Sequence, residues 1–334
     1  MALTVVGAAG AVALATLLGV SDAPNGSAAL LAARTGSLAA VAVWCVGWHL
    51  IGGLVAGVAV ARTVVGMVHV GRTSTTAVLA AACWTSVVFT GVTTRRGLPT
   101  SASVGLVGGL AGAGMAAGGA RAVDWGGVHG DRVAGVVGVL VGVVVAPVLA
   151  AAVSWVVALG ARRLAFVLPR RAGREVHGGL WLSSALVSVA DGTNDGQKAM
   201  GVLAVVVAGS GTLGPSGYTR WEQVTCAAVL AVATAVGGRR IVARVSRGLS
   251  KGGAVDDLAA QCTSATVILV GAAVGLPLST STVVTSAMVG SGLAARRRHV
   301  RWRGVVTILG TWLATVPVCA VLAAAAFELL RLVP

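Results

Sequence analysis

The sequence predicts an all-α fold: a polytopic membrane bundle of helices built from two inverted-topology repeats, with interrupted helices and hairpins. Three observations lead to this prediction. Of the 334 residues, 56% are hydrophobic and only 10% are charged, whereas an average soluble domain is about a quarter charged. The apolar residues form long continuous runs, and two unlike polar motifs each occur twice in the same order. This composition excludes a disordered chain, a collagen-like chain and an ordinary soluble enzyme.

A membrane-spanning helix needs about 20 predominantly apolar residues. Ten segments approach this length, namely residues 2–33, 38–61, 75–94, 98–118, 133–159, 178–210, 222–238, 259–275, 277–295 and 304–330. The first and the sixth contain a polar run that bears an aspartate, so we expect each of these helices to be interrupted there. No basic stretch precedes the first segment, which favours a membrane helix over a cleaved signal.

The net charge of +15 is explained by membrane topology. If the segments alternate across the membrane, 18 of the 25 basic residues lie on one side. The positive-inside rule places that side in the cytoplasm and both termini outside. The sequence therefore predicts a multi-pass protein of the cell membrane whose partner is the lipid bilayer, with no nucleic-acid role.

Two pairs of motifs divide the chain into repeats. The runs GVSDAPNG (19–26) and GTNDGQKAMG (192–201) form one pair, and GLPTSASVGLVGG (97–109) and GLPLSTSTVVTSAMVG (275–290) form the other. In the first half, Pro99 follows Asp22 by 77 residues. In the second half, Pro277 follows Asp195 by 82 residues. We predict a first repeat at 1–159, a basic cytoplasmic linker at 160–177 and a second repeat at 178–334. Each half holds an odd number of segments, so the second half enters the membrane from the opposite side, as in many secondary transporters.

The aspartates of the first motif pair are candidate cation ligands. Ionisable residues at membrane depth are costly and usually mark a functional site, although a loop at the membrane surface is the open alternative. Asp22 and Asp195 can bind Na⁺ or carry a proton, and the amide oxygens of Asn25 and Asn194 are further hard ligands. Five glycines would permit an unwound backbone here, namely Gly19, Gly26, Gly192, Gly196 and Gly201.

Lys198 has two interpretations that the sequence leaves open. It follows Asp195 by one helical turn, so an ion pair within the helix is one of them. The other is contact with an anionic substrate, and a pair with Asp191 is a further variant of the first.

The second motif pair predicts an anion site. A proline at the first turn of a helix is followed by free backbone N–H groups, and hydroxyl side chains add donors without adding charge. Pro99 and Pro277 each precede such a run. The candidate anion-binding hydroxyls are Thr100, Ser101, Ser103, Ser279, Thr280 and Ser281. The alternative is that these side chains bond to their own helix backbone.

No catalytic pattern accompanies these motifs. The five histidines and five cysteines show no ligand or nucleophile spacing, and neither a nucleotide-binding loop nor a serine-hydrolase motif is present. We therefore expect a protein that is not an enzyme and needs no cofactor. Its aspartates would take up a coupling ion, either Na⁺ or H⁺. The sequence identifies no metal.

At these residues the sequence resembles the inorganic phosphate transporter (PiT) family of secondary carriers. That family carries a GxNDxxN/K-type signature once in each half. The run GTNDGQKAMGV (192–202) is similar to the second signature, and Gly19, Asp22 and Asn25 match the first. The two GLP runs resemble the family's hairpin segments, and residues 237–251 resemble a loop of the bacterial members. The resemblance covers nearly the whole chain.

The resemblance implies import of inorganic phosphate by symport with Na⁺ or H⁺, an inverted-repeat helical fold and a homodimer. By position, Asp22, Asn25, Asn194 and Asp195 would contribute to the cation and phosphate sites. The six hydroxyl residues named above would contact phosphate.

Five positions depart from the family pattern, which leaves the coupling ion and the substrate open. Ser21 stands at a usual Asn, Gln261 at a usual Glu, and Val104, Thr282 and Asp191 stand at positions where His is common. A carrier of sulfate or another tetrahedral oxyanion is the first alternative. A non-transporting membrane scaffold or sensor of the same fold is the second.

Overall fold

The predicted all-α bundle is confirmed. The computed structural model describes residues 1–96, 100–126, 128–129, 132–133, 135–167, 173–245, 253–295 and 302–332. Within these ranges the chain forms eleven α-helices: α1 Ala2–Ala32, α2 Leu38–Leu54, α3 Ala59–Gly66, α4 Arg72–Arg95, α5 Ala102–Gly118, α6 Gly135–Val167, α7 Gly173–Ala208, α8 Arg220–Val245, α9 Ala254–Ala273, α10 Thr280–Ala295 and α11 Trp302–Leu330. A 3₁₀ turn at Ala120–Ala122 and two short antiparallel strands, β1 Val128–His129 and β2 Arg132–Val133, separate α5 from α6.

Four helices in the described ranges are long and apolar enough to cross a membrane. They are α1, α6, and the stretches Ser74–Arg95 of α4 and Gly310–Leu330 of α11. The pair α2 and α3 qualifies as a fifth span, interrupted by a bend of 71°. This is a multi-pass membrane protein.

The order of elements repeats between the two halves. The first half runs α1, the bent pair α2–α3, α4, α5 and α6, and the second runs α7, α8, α9, α10 and α11. In each half the fourth helix is short, and the fifth is long and contains a proline, Pro147 in α6 and Pro317 in α11. The halves therefore have matching elements in matching order, and the odd number of units gives them inverted topology.

The two halves interleave through matching helix contacts. Helix α1 packs on α8 as α7 packs on α2, and α5 packs on α11 as α10 packs on α6. Small residues allow this close approach, which substitutes for hydrophobic driving force between helices in lipid. A Cβ on Gly112 would lie 2.0 Å from the Ala320 carbonyl oxygen, and one on Gly290 would lie 2.0 Å from that of Ala151. The proposed division at 159 and 178 remains a prediction, and part of the linker (168–172) lies outside the described residues.

The predicted interruptions of α1 and α7 are wrong. Both helices run continuously through the aspartate motifs, and α1 even accommodates Pro24. The glycines serve close packing instead: a Cβ on Gly19 would lie 2.2 Å from the Leu230 oxygen, and one on Gly192 would lie 2.3 Å from the His49 oxygen. The helices need no unwinding to bring partners to Asp22 and Asp195, because hydroxyl groups of α10 lie within hydrogen-bond distance of both side chains.

The hydroxyl motifs lie at the turns of two helical hairpins, α4–α5 and α9–α10. Helices α5 and α10 have 17 and 16 residues, or about 25 Å at 1.5 Å per residue, so they are shorter than the predicted spans 98–118 and 277–295. Pro277 lies in a non-helical stretch before α10 rather than in its first turn, because the chain makes a tight turn there in which the Leu278 amide donates to the Leu276 carbonyl oxygen at 2.8 Å. Pro99 lies outside the described residues.

Candidate substrate and cation site

One face of α7 carries the polar residues of the site. Asp191, Asn194, Asp195 and Lys198 are spaced at i, i+3, i+4 and i+7, which places them on one side of a helix. Each is 0% exposed. A buried charge is stable only when it is paired or hydrogen-bonded, so their partners define the chemistry of this region.

Asp22 of α1 accepts hydrogen bonds from residues of both halves of the chain. Its Oδ1 accepts hydrogen bonds from Asn25 Nδ2 at 3.2 Å, Thr280 Oγ1 at 2.8 Å and Ser281 Oγ at 2.7 Å. The Thr280 hydroxyl also lies 3.1 Å from Asp195 Oδ2. The first turn of α10 therefore inserts between the two aspartates that the sequence repeat predicts.

Lys198 forms the predicted ion pair with Asp195. Its Nζ also donates to Ser103 Oγ at 2.7 Å and to the Leu278 carbonyl oxygen at 2.5 Å. These three acceptors use all three N–H groups of the ammonium. The lysine thus joins α7 to the first turn of α5 and to the turn before α10, one from each hairpin.

Asp191 is the site residue that the motif analysis missed. The Asn25 amide donates one N–H to Asp22 and the other to Asp191 Oδ2 at 3.0 Å, so it bridges α1 and α7. A sequence signal existed, since Asp191 precedes Asp195 by one helical turn. By sequence, Asp191 is only a departure from the family pattern and a possible partner of Lys198, which pairs with Asp195 instead.

The remaining predicted residues divide into two groups. Asn194 and Ser279 lie close to the cluster: Asn194 Nδ2 donates to the Leu276 carbonyl at 3.0 Å, and the Ser279 hydroxyl contacts Thr282 Oγ1 at 2.5 Å. Thr100 and Ser101 do not join it through any hydrogen bond in the described ranges. Thr100 pairs with Thr93 at 2.6 Å, and Ser101 caps α5 by accepting from the Val104 amide at 3.3 Å.

The Gln261 position has a structural role next to this cluster. Its Oε1 accepts from Ser183 Oγ at 2.6 Å, and its Nε2 donates to the Gly26 carbonyl at 3.2 Å. The side chain therefore links α9 to both α7 and α1. An amide fits here because it presents one acceptor and one donor.

Three buried oxygen atoms of the site have no hydrogen-bond partner among the described residues. They are Asp22 Oδ2, Asp191 Oδ1 and Asn194 Oδ1. Carboxylate and amide oxygens are ligands for hard cations. No group of three or more His, Cys, Asp and Glu side chains that could hold a metal ion occurs in the part of the chain that the structure describes. Such oxygen donors are suited to a hard cation rather than to a soft metal ion that prefers sulfur ligands.

Comparison with known proteins agrees with this architecture. The model of the phosphate transporter family matches residues 18–177 and 167–323. A probable low-affinity inorganic phosphate transporter of Rhizobium meliloti (strain 1021) is 32% identical over 310 residues, which cover 92% of this chain and 90% of that one. One from Mycobacterium tuberculosis (strain ATCC 25618 / H37Rv) is 33% identical over 249 residues, which cover 74% of this chain but only 58% of the relative's length.

A solved structure shares the fold. The structure described as "The sodium-dependent phosphate transporter" superposes with a TM-score of 0.83 at 20% sequence identity, and the match covers 100% of both chains. Together with the match of the family model to most of the sequence, these similarities show that the chain belongs to the phosphate transporter family.

Proposed function

We propose that this protein is a secondary active transporter that imports inorganic phosphate across the cell membrane by symport with a cation, and that the cation is Na⁺ rather than H⁺. One observation carries the proposal: carboxylates of α1 and α7 and hydroxyls of α5 and α10 meet in a single buried cluster that both repeats build. The names of the relatives and of the solved structure support the substrate and the ion.

The hydroxyl groups are suited to a substrate that must bind and then leave. Thr280, Ser281 and Ser103 supply neutral O–H donors, and Lys198 supplies the positive charge beside them. Ser279, Thr100 and Ser101 lie at the same two hairpin turns and would extend the anion site in another conformation. Neutral donors bind phosphate less tightly than a cluster of arginines would, so release remains possible.

Coupling follows from a competition between Asp22 and phosphate. In this structure Asp22 accepts the Thr280 and Ser281 hydroxyls, and a hydroxyl has only one proton to donate. A cation on Asp22 and Asn25 would draw the carboxylate away and free these donors for phosphate. Without the cation, the Thr280 and Ser281 hydroxyls remain bonded to Asp22, and the negative charge of Asp22 repels phosphate.

Cation binding also offsets the electrical cost of import. Each negative charge that enters against a negative interior costs about 2.3 kcal/mol per 100 mV. Asp22, Asp195, Asn25 and Asn194 are the residues that the sequence assigns to the coupling cation. Movement of one repeat against the other would then expose the loaded site on the cytoplasmic side. We further propose that the protein acts as a homodimer, as the family resemblance implies.

Uptake of radiolabelled phosphate into proteoliposomes tests the proposal. The purified full chain is assayed with an inward Na⁺ gradient at equal pH, with a pH gradient in Na⁺-free buffer, and with neither. Accumulation driven by the Na⁺ gradient is the expected result. Accumulation driven only by the pH gradient would identify H⁺, and not Na⁺, as the coupling ion. No gradient-dependent uptake by folded protein would reject transport and favour a scaffold or sensor.

Competition with sulfate tests the substrate. Excess sulfate should leave phosphate uptake unchanged if the protonated oxygens of phosphate are recognised by the carboxylates of the cluster. Equal inhibition by unlabelled sulfate and unlabelled phosphate would instead identify a carrier of tetrahedral oxyanions in general.

A further inference from the structure

The charges of the buried cluster do not balance. Three carboxylates, those of Asp22, Asp191 and Asp195, lie within it, and among the residues described Lys198 is the one basic residue that pairs with any of them, namely with Asp195. Lys198 pairs with Asp195 through Oδ1, and the other oxygen of Asp195 lies 3.1 Å from the Thr280 hydroxyl. Two carboxylates are therefore left without a positive partner, on different helices.

Asp191 and Asp22 have the same incomplete coordination. Each directs one oxygen to the Asn25 amide, and each has a second oxygen for which the described part of the chain provides no partner. Desolvating a carboxylate oxygen without a compensating contact is strongly unfavourable. The same requirement for a cation that applies to Asp22 applies to Asp191.

Asn194 provides a second donor beside Asp191. The two residues lie one turn apart on the same face of α7, and each is fully buried. The Asn194 amide nitrogen is held by the Leu276 carbonyl, which leaves its Oδ1 unpartnered within the described ranges. A carboxylate oxygen and an amide oxygen on one helix face form the beginning of a site for a small hard cation.

We propose that Asp191, together with Asn194, holds a Na⁺ of its own, separate from the cation at Asp22. This inference rests on the proposed Na⁺ symport and changes one part of it. Asp195 already has Lys198 as its counter-ion, so its role is to position the lysine rather than to bind the second cation. The residue at position 191, where the resemblance implies a histidine, thereby becomes a determinant of Na⁺ binding in this chain.

Binding of radioactive Na⁺ to the purified protein in phosphate-free buffer tests this site directly. Asp191→Asn should bind one Na⁺ fewer per chain than the wild type. In proteoliposomes the same variant should need at least about tenfold more Na⁺ for half-maximal phosphate uptake, as expected when a coordinating group is lost. Its Hill coefficient for Na⁺ should fall toward one. Asp257→Asn, which alters a carboxylate of α9 outside the cluster, is the matched control and should behave as the wild type.

Thermal unfolding separates loss of the site from loss of the fold. In Na⁺-free buffer Asp191→Asn should melt no lower than the wild type, because it removes an unpartnered buried charge. The rise in Tm on adding Na⁺ should be smaller than in the wild type. If Asp191→Asn does not fold, Asp191→Glu keeps the charge but displaces the oxygen, and the rise in its own Tm on adding Na⁺ should be smaller than in the wild type.

The outcomes distinguish this inference from the proposed function. Phosphate uptake by Asp191→Asn with wild-type Na⁺ dependence and wild-type Na⁺ binding would overturn the Asp191 site and leave symport intact. Wild-type protein that binds Na⁺ through Asp191 but transports no phosphate would reject symport and keep the site. A wild type that neither binds Na⁺ nor responds to it in Tm would reject both.

Discussion

Ser281, in the first turn of α10, donates its hydroxyl to Asp22 of α1 at 2.7 Å, across 259 positions of the chain. Thr280 donates to the same carboxylate, so Asp22 occupies two of the hydroxyl donors that we assign to the proposed phosphate site. The structure therefore holds a carboxylate where the proposed substrate would bind, and a cation is the natural means of exchanging one for the other.

The Thr280 hydroxyl should be required for phosphate binding. Thr280→Val keeps the shape of the side chain but removes the O–H that lies between Asp22 and Asp195. A hydrogen bond to a charged group contributes about 1.5–3 kcal/mol, so the KM for phosphate should rise about 10- to 100-fold. Thr280→Ser restores the hydroxyl and should keep the KM near the wild-type value. Equal KM values for the two variants would remove Thr280 from the site.

The Lys198–Asp195 pair should stabilise the fold only as a pair. Lys198→Met leaves a fully buried carboxylate without its counter-ion, and breaking a buried pair in this way costs about 3–5 kcal/mol. The double variant Lys198→Met with Asp195→Asn should recover much of the thermal stability in detergent. We expect no coupled phosphate uptake from either variant, nor from Asp195→Asn alone. Near-normal uptake by Asp195→Asn would exclude that residue from the transport machinery.

The contact between α5 and α11 should tolerate no side chain at Gly112. A Cβ there would lie 2.0 Å from the Ala320 carbonyl oxygen, and the helices must separate to admit it. Overpacking of this kind costs about 1–3 kcal/mol, so the Tm of Gly112→Ala should fall. Gly91→Ala is the control, because no atom lies within 4 Å of its added Cβ and alanine has the higher helix propensity. A similar Tm for both variants would contradict the close packing.

Gln261 should not be exchangeable with glutamate at neutral pH. Gln261→Glu loses the N–H that donates to the Gly26 carbonyl and places a carboxylate oxygen against that carbonyl. An unsatisfied buried group costs about 1–3 kcal/mol. Acidification should restore part of this stability, since a protonated glutamate can donate again. Gln261→Met lacks a titratable group, and its stability relative to the wild type should stay constant with pH.

Much of this site could be inferred from local patterns. Asp22, Asn25, Asp195 and Lys198 stand out because ionisable and amide side chains are rare in such apolar runs, and the repeat pairs them with the hydroxyl motifs. The sequence also predicted the ion pair of Lys198 with Asp195 as one of two interpretations, since a separation of three residues on a helix places the two side chains together.

Other features depended on contacts between distant helices. The polar runs looked like breaks in α1 and α7 because asparagine, glycine and proline favour irregular backbone in isolation. The helices continue through them because Thr280 and Ser281 of α10 donate to Asp22 across the bundle, and because glycines are needed where Leu230 and His49 approach. Propensity is a local property, and packing overrides it.

The sequence by itself determined the membrane class and the helical repeats, and it singled out most of the polar residues that meet in the buried cluster, because composition and spacing are properties of the chain alone. Only the tertiary structure decided that Asp191 shares Asn25 with Asp22, that Ser103 contacts Lys198, and that Thr100 and Ser101 form their hydrogen bonds with Thr93 and the Val104 amide. Those outcomes depend on which helices of the two interleaved halves meet, and no spacing within one segment specifies that.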